Sequence, residues 1–251
     1  FTKFLKFIVN KSIDFPPLFS VQVLGELNEA GHKVEYSKKL PKNLDNYDFF
    51  IIATSIVCHE TEIETITKLK NLNKIVFAIG PFGTSNPKNY IEVGAKTVKG
   101  EPEMFFHKFK MSIEEIKKLP NLIDNLKDIN INELATPGWD IVFKSYTPIF
   151  KFLGNEPAVN INASRGCPYQ CFYYCVYPLQ QGRKLRLKNP DKLINEIKNL
   201  KKNLGVKNFV FRDPVFSLDR NHTIEICKII IDEKLNINIC IETHLKNIDD
   251  E

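Results

Sequence analysis

The chain has 251 residues, 43% of them apolar, enough at roughly 150 residues per domain for one or two domains each with its own core, which excludes a disordered tail or a small disulfide scaffold. Thirty-five Lys and Arg against 30 Asp and Glu leave a net charge of +5 spread along the chain as Lys, a distribution suited to solubility rather than nucleic-acid binding. No apolar run approaches the roughly 18 residues of a membrane helix and no charged-then-apolar leader is present, so a cytoplasmic protein without a transmembrane segment is expected.

In chain order, Phe4 to Val9 is an apolar run that predicts a first strand. Pro17 to Ala30 follows as a helix with Leu18, Val21, Leu24 and Leu27 on one face and Gly31 at its C-terminal cap. Lys33 to Tyr36, Phe49 to Ala53, Ile75 to Ile79 and Ala95 to Val98 read as four more strands. A helix face at Ile63, Ile66, Leu69 and Leu72 and a short helix at Tyr90 to Val93 lie between them. Near-continuous apolar strands alternating with amphipathic helices imply a parallel sheet covered on both faces, hence a doubly wound, flavodoxin-like or Rossmann-like α/β domain over residues 1–110. Residues 111–156 carry Pro120, Pro137, Gly138, Pro148 and Gly154 and read as a connecting segment. Alternation then resumes over 157–251: strands at Val159 to Ala163, Asn208 to Phe211 and Ile237 to Glu242, helices at Asp191 to Leu204 and Thr223 to Leu235. The spacing is that of βαβ units and of a partial (β/α) barrel. The chain opens at Phe1 and stops at Glu251 in a charged stretch, which reads as part of a longer product.

Six cysteines are too few and too uneven for a disulfide framework. Cys58, Cys227 and Cys240 are isolated and read as packed thiols, but Cys167, Cys171 and Cys175 crowd onto one stretch directly after a predicted buried strand. Three thiolates on one loop suit a soft metal centre, either zinc completed by a distant His or an iron-sulfur cluster with one iron left open.

The run Ser164-Arg165-Gly166-Cys167-Pro168-Tyr169-Gln170-Cys171-Phe172-Tyr173-Tyr174-Cys175 resembles the radical S-adenosylmethionine superfamily, and its flanks resemble the subgroup with an N-terminal cobalamin-binding domain. The resemblance implies a radical barrel. Cys167, Cys171 and Cys175 would hold a 4Fe-4S cluster whose open iron binds S-adenosyl-L-methionine, and an electron from a donor such as ferredoxin or flavodoxin would cleave that ligand to a 5'-deoxyadenosyl radical. The spacing here is C-x3-C-x3-C where the family usually has C-x3-C-x2-C, a difference one loop residue can absorb. By the same resemblance Tyr174 matches an aromatic beside the adenine. Asp213, in Phe211-Arg212-Asp213-Pro214-Val215-Phe216-Ser217, and Glu242, in Ile241-Glu242-Thr243-His244, match regions that hold S-adenosylmethionine. Asp213 is equally a candidate to cap its own turn, and His244 stands where the family often has Arg.

Phe15-Pro16-Pro17-Leu18, Glu29-Ala30-Gly31-His32-Lys33-Val34, Gly80-Pro81-Phe82-Gly83-Thr84 and Lys99-Gly100-Glu101-Pro102-Glu103 resemble the subgroup's cobalamin domain. They make Ser55, Gly80, Gly83, Thr84, Gly100 and Glu101 candidate corrin contacts, although ordinary turn chemistry explains any one of them. The loop Asn10-Lys11-Ser12-Ile13-Asp14-Phe15 offers no histidine for cobalt. The implied activity is methyl transfer from methylcobalamin to an unactivated carbon of a small-molecule, lipid or cofactor-precursor substrate. A radical enzyme with a cofactor-free docking domain, catalysing cyclisation or rearrangement, and a non-catalytic iron-sulfur or zinc module are the alternatives.

Overall fold

The computed structural model describes residues 13–124, 128–171 and 175–248, with side chains from Phe15 onward. The expected strand Phe4 to Val9 and the candidate Tyr174 lie outside the described residues. The first half comprises β1 (Ile13–Asp14), α1 (Leu18–Glu29), β2 (Phe49–Ala53), α2 (His59–Asn71), β3 (Ile75–Ile79), α3 (Pro81–Ser85), α4 (Pro87–Ile91), β4 (Lys96–Val98), α5 (Pro102–Phe106), α6 (Ile113–Lys118) and β5 (Leu122–Ile123). The second comprises α7 (Trp139–Ser145), β6 (Ile149–Phe150), β7 (Ala158–Ile161), β8 (Ser164–Arg165), α8 (Tyr177–Gln181), β9 (Arg186–Leu187), α9 (Pro190–Leu204), β10 (Asn208–Phe211), α10 (Arg220–Asp232) and β11 (Asn238–Cys240).

The first sheet pairs β2, β3, β4 and β5 side by side, all parallel. Side chains alternate across a strand, and β3 shows both faces in use. Phe77 and Ile79 pack with Val23 and Leu27 of α1 and with Phe106, while Val76 and Ala78 pack with Ile66 and Leu69 of α2 and with Tyr90. Helices therefore cover both faces, as the unbroken apolar run of β3 requires. The reversal of strand order that defines a doubly wound sheet is not among the described residues. Two expectations change here. Lys33 to Tyr36 alternates in burial but forms no ladder with another described strand. The sheet also runs on into the expected connecting segment, because Leu122 and Ile123 pair with Thr97 and Val98.

In the second sheet β7, β10 and β11 lie parallel in the order β11-β10-β7, with α9 and α10 as crossovers. Asn189 caps α9 by accepting from Lys192 N at 3.1 Å, Pro190 opens its first turn and left-handed Gly205 closes it. Leu193, Ile194, Ile197 and Leu200 of this helix are buried, at about 1.5–3 kcal/mol each. Helix α10 starts three residues before the apolar pattern, at Arg220, because the Asp219 side chain accepts from His222 N at 3.0 Å. The last strand is shorter than expected, Asn238–Cys240, and the strand expected as Val159 to Ala163 is β7, which ends at Ile161, with β8 starting beyond it at Ser164. These are parallel α/β units; a closed barrel is not what the described strands form.

The two sheets share a core. Val21 and Leu24 of α1, together with Trp139, Ile141 and Val142 of α7, join Val159, Ile161, Leu193, Phe209 and Phe211 in one buried cluster. Trp139 Nε1 also donates to Asn160 O at 3.1 Å. Helix α1 thus serves both halves, with Val23 and Leu27 turned to the first sheet and Val21 and Leu24 to the second.

Candidate functional site

The three cysteines lie on an excursion between β8 and β9, two short strands paired antiparallel as Ser164 with Leu187 and Arg165 with Arg186. Strands of two residues cannot hold themselves together, and further contacts pin them. Lys188 N donates to Ala163 O at 2.8 Å and Cys167 N to Gly182 O at 3.2 Å. Gly166 N donates to Gln181 Oε1 at 3.2 Å. Gly166 sits at φ +85, and a Cβ there would fall 2.1 Å from Lys184 O, so only glycine lets the chain turn into the loop.

Burial differs among the three: Cys167 is buried, Cys171 exposed and Cys175 half-buried. Among the described residues no group of three His, Cys, Asp or Glu converges as a metal site. The donor set, three thiols on one loop without a carboxylate between them, has the chemistry of a soft-metal or iron-sulfur site. The loop lies at the carboxyl end of the second sheet: Tyr169 stacks near His244 beyond β11, at 5.9 Å between ring centroids, and beneath Lys246 Nζ at 4.5 Å.

Asp213, which follows β10, is fully buried, and its carboxylate is spent on the chain. It accepts from Ala163 N at 3.0 Å, from Ser164 N and from Ser164 Oγ at 2.6 Å. Burial drives its pKa up to about 6 against those three donors, each of which favours the charged form. Glu242 pairs with Arg212 at the half-exposed rim. Its carbonyl accepts from Phe216 N at 2.8 Å, and the Ser217 and Thr243 hydroxyls bond beside it, lacing the turns after β10 and β11 together. Tyr177, two residues beyond Cys175, has its phenol pKa raised, first by burial. It lies within electrostatic reach of Arg212, Glu242, Asp213 and Cys175, a neighbourhood that nothing in its local sequence marks.

In the first half the candidate residues fall together at the carboxyl ends of β2, β3 and β4. Thr84 Oγ1 donates to Gly80 O at 2.9 Å and accepts from Gly100 N at 3.0 Å, bracing two glycine turns against each other. Gly80 takes φ +110, with the Phe19 ring where a Cβ would stand. Gly83 N donates to Thr54 Oγ1 at 2.8 Å. Ser55 sits apart from this brace; its N and Oγ donate to Glu62 Oε1 at 2.9 and 3.3 Å, and Tyr90 donates to the other Glu62 oxygen. Glu101 reaches the other half: it pairs with Arg165 at 2.9 Å and Arg186 at 2.7 Å, while Glu103 also holds Arg165. Burial raises the Glu103 pKa even though Arg165 opposes it. Burial works against the charge of Arg165, but Glu103 and Glu101 outweigh it and hold the guanidinium charged. Beside this quartet a cleft of about 350 Å³ opens between Gly100, Asp124 and Lys99 on one side and Gln181, Arg183 and Lys184 on the other. Arg165, Glu103 and Arg186 carry no role in the sequence reading, because each pairs with a residue more than 60 positions away and nothing local marks the pairing.

No family model matches the chain. It is 27% identical over 222 residues to an uncharacterized methyltransferase of Pyrococcus horikoshii, covering 80% of this chain and 46% of that protein. An uncharacterized methyltransferase of Synechocystis is 27% identical over 224 residues, covering 85% of this chain and 38% of its own. An anaerobic magnesium-protoporphyrin IX monomethyl ester cyclase of Cereibacter sphaeroides is 32% identical over 96 residues, 38% of this chain and 15% of that one. The chain thus spans less than half the length of the curated relatives it matches. Proteins named as methyltransferases and as anaerobic cyclases are its relatives, which supports an enzyme. Among the described residues no helix is long and apolar enough to cross a membrane.

Proposed function

We propose that this chain is the cofactor-handling part of a radical S-adenosylmethionine enzyme that transfers a methyl group, with the first sheet as a cobalamin-binding-like unit. The observation that carries the reading is the three-cysteine loop at the carboxyl end of a parallel sheet, its base tied to the glycine turns of a second parallel sheet. Relatives named as methyltransferases support the transfer; the cyclase relatives support the radical chemistry. When bound at Cys167, Cys171 and Cys175, a four-iron cluster would supply the electron that opens S-adenosylmethionine. The chain's own part is to present the sulfurs, with Cys167 held at the base of the loop by its amide bond to Gly182 O. Glu242 and Arg212 offer charged groups at the rim of the same sheet end, where an amino acid moiety can be oriented.

A second reading has its own observation. Ser55, Thr84 and Glu101 are all engaged with the chain's own groups, which favours a first unit that docks onto the second without a corrin. Oxygen-free reconstitution with ferrous iron, sulfide and hydroxocobalamin separates the two. The first reading expects about four irons per chain with corrin absorbance retained on gel filtration; the second expects the iron alone. Cys171→Ala is expected to lose most of the iron, and full retention in that variant would overturn the ligand assignment.

A further inference from the structure

That Cys167 is the buried member of the cysteine triplet has a structural source. The peptide Ala163–Arg165 leads into Cys167 and is gripped from two sides by different halves of the molecule. Asp213 takes the Ala163 and Ser164 amides from the second sheet, and Glu101 and Glu103 take the Arg165 guanidinium from the turn after β4. Arg165 is only 5% exposed at its side chain, Glu101 10% and Glu103 3%. Charges so deeply buried are costly to desolvate and are not needed for stability as such, since apolar packing of equal volume often does as well. What a planar guanidinium between two carboxylates gives is a fixed place and orientation. Arg165 is two residues from Cys167, within about 7 Å along the backbone, so fixing the one fixes the other. Cys171 and Cys175 lie beyond the reach of this clamp and are the more open thiols.

We propose that Arg165 is a positioning residue through which the first half of the molecule seats Cys167 as the rigid member of the triplet, so that the three thiols take up metal only when the two halves are docked. The metal-uptake part rests on the function proposed above; the seating of Cys167 does not. The test therefore has a metal-free arm and a metal arm. In the metal-free reduced chain, the rate of alkylation of each cysteine by iodoacetamide is read by mass spectrometry. In the wild type Cys167 is expected to react slowly and Cys171 fast. In Arg165→Met, Cys167 is expected to react about tenfold faster, while Cys240 on β11 keeps its rate, which marks a local release rather than unfolding. Arg165→Lys is expected to restore a large part of the protection. Glu101→Gln, which keeps the shape of the side chain, is expected to release Cys167 by a smaller factor and serves if the Met variant does not fold.

In the metal arm the same variants are reconstituted with ferrous iron and sulfide, and iron per chain should fall in Arg165→Met with all three cysteines intact. Continued protection of Cys167 in both Arg165→Met and Glu101→Gln overturns the inference, whatever the iron content. Release of Cys167 with wild-type iron uptake overturns its metal half. Absence of iron from the wild type, with the alkylation contrast as expected, overturns the proposed function and leaves the seating role standing.

Discussion

Asp213 sets burial against hydrogen bonding. Three donors from Ala163 and Ser164 favour its charged form, yet complete burial outweighs them and lifts the pKa to about 6, against an ordinary value near 3.9. A carboxyl whose folded pKa is raised contributes stability that is fully present below about pH 4 and is lost as pH rises through about 6. A shift of about two units corresponds to roughly 3 kcal/mol. Urea unfolding of the wild type and of Asp213→Asn between pH 4 and pH 7 is expected to show the gap between them narrowing by about that amount, because the amide does not titrate. A gap that does not change with pH would mean that the carboxyl ionises as in water. The sequence singled this residue out but could not choose between a ligand and a clamp, because its partners lie 50 and 49 positions away. The same distance hid Arg165, whose carboxylate partners are 64 and 62 residues earlier. The cysteines stand out in the sequence because three thiols so close together suggest a chemistry that needs no partner elsewhere.

Helix α1 shows what a pattern reveals and what it leaves out. The apolar spacing at Leu18, Val21, Leu24 and Leu27 predicts the helix and one face, but the buried positions wrap around it and include Gly25. At Gly25 the helix meets the backbone of the segment before α7. A Cβ there would stand 2.1 Å from Thr136 O and 3.2 Å from Gly138 N, and Gly138 N in turn donates to Val21 O at 2.9 Å. Helix propensity alone would favour Ala over Gly by about 1 kcal/mol. The contact is with backbone that cannot rotate away, so overpacking wins, and Gly25→Ala is expected to cost about 2 kcal/mol net in urea unfolding. A variant more stable than the wild type would show that the close approach is not kept in solution. The continuous apolar run of β3 is legible for the converse reason: burial on both faces leaves no other use for five apolar residues. Lys33 to Tyr36 has the alternation of a strand but pairs with no strand among the described residues, and β5 has a paired strand but only two residues, too few to show a period.

At the scale of the whole molecule the sequence divides at 110 and 156 on composition, with a connecting segment between two α/β units. The core does not follow that division. Val21 and Leu24 from the first unit and Trp139, Ile141 and Val142 from the connecting segment are buried with the strands and helices of the second. The Glu101–Arg165–Glu103 cluster adds a buried charged contact that neither half can satisfy alone. Apolar spacing marks which residues are buried but not against what, so a helix shared by two sheets reads the same as a helix serving one. Elements that share one core lose it together, and the expected behaviour is a single cooperative transition in denaturant. Trp139 is the only tryptophan, is fully buried and sits at the seam, so its fluorescence reports on the shared core while far-UV circular dichroism reports on the helices of both halves. The two midpoints should coincide in the wild type. Trp139→Ala, which opens a cavity at the seam, should lower the single midpoint by an amount equivalent to about 3–5 kcal/mol, as followed by circular dichroism. Fluorescence that shifts at low denaturant while the helical signal persists would show instead that the halves part before they unfold. The clamp on Cys167 would then be a contact that opens readily in the native chain.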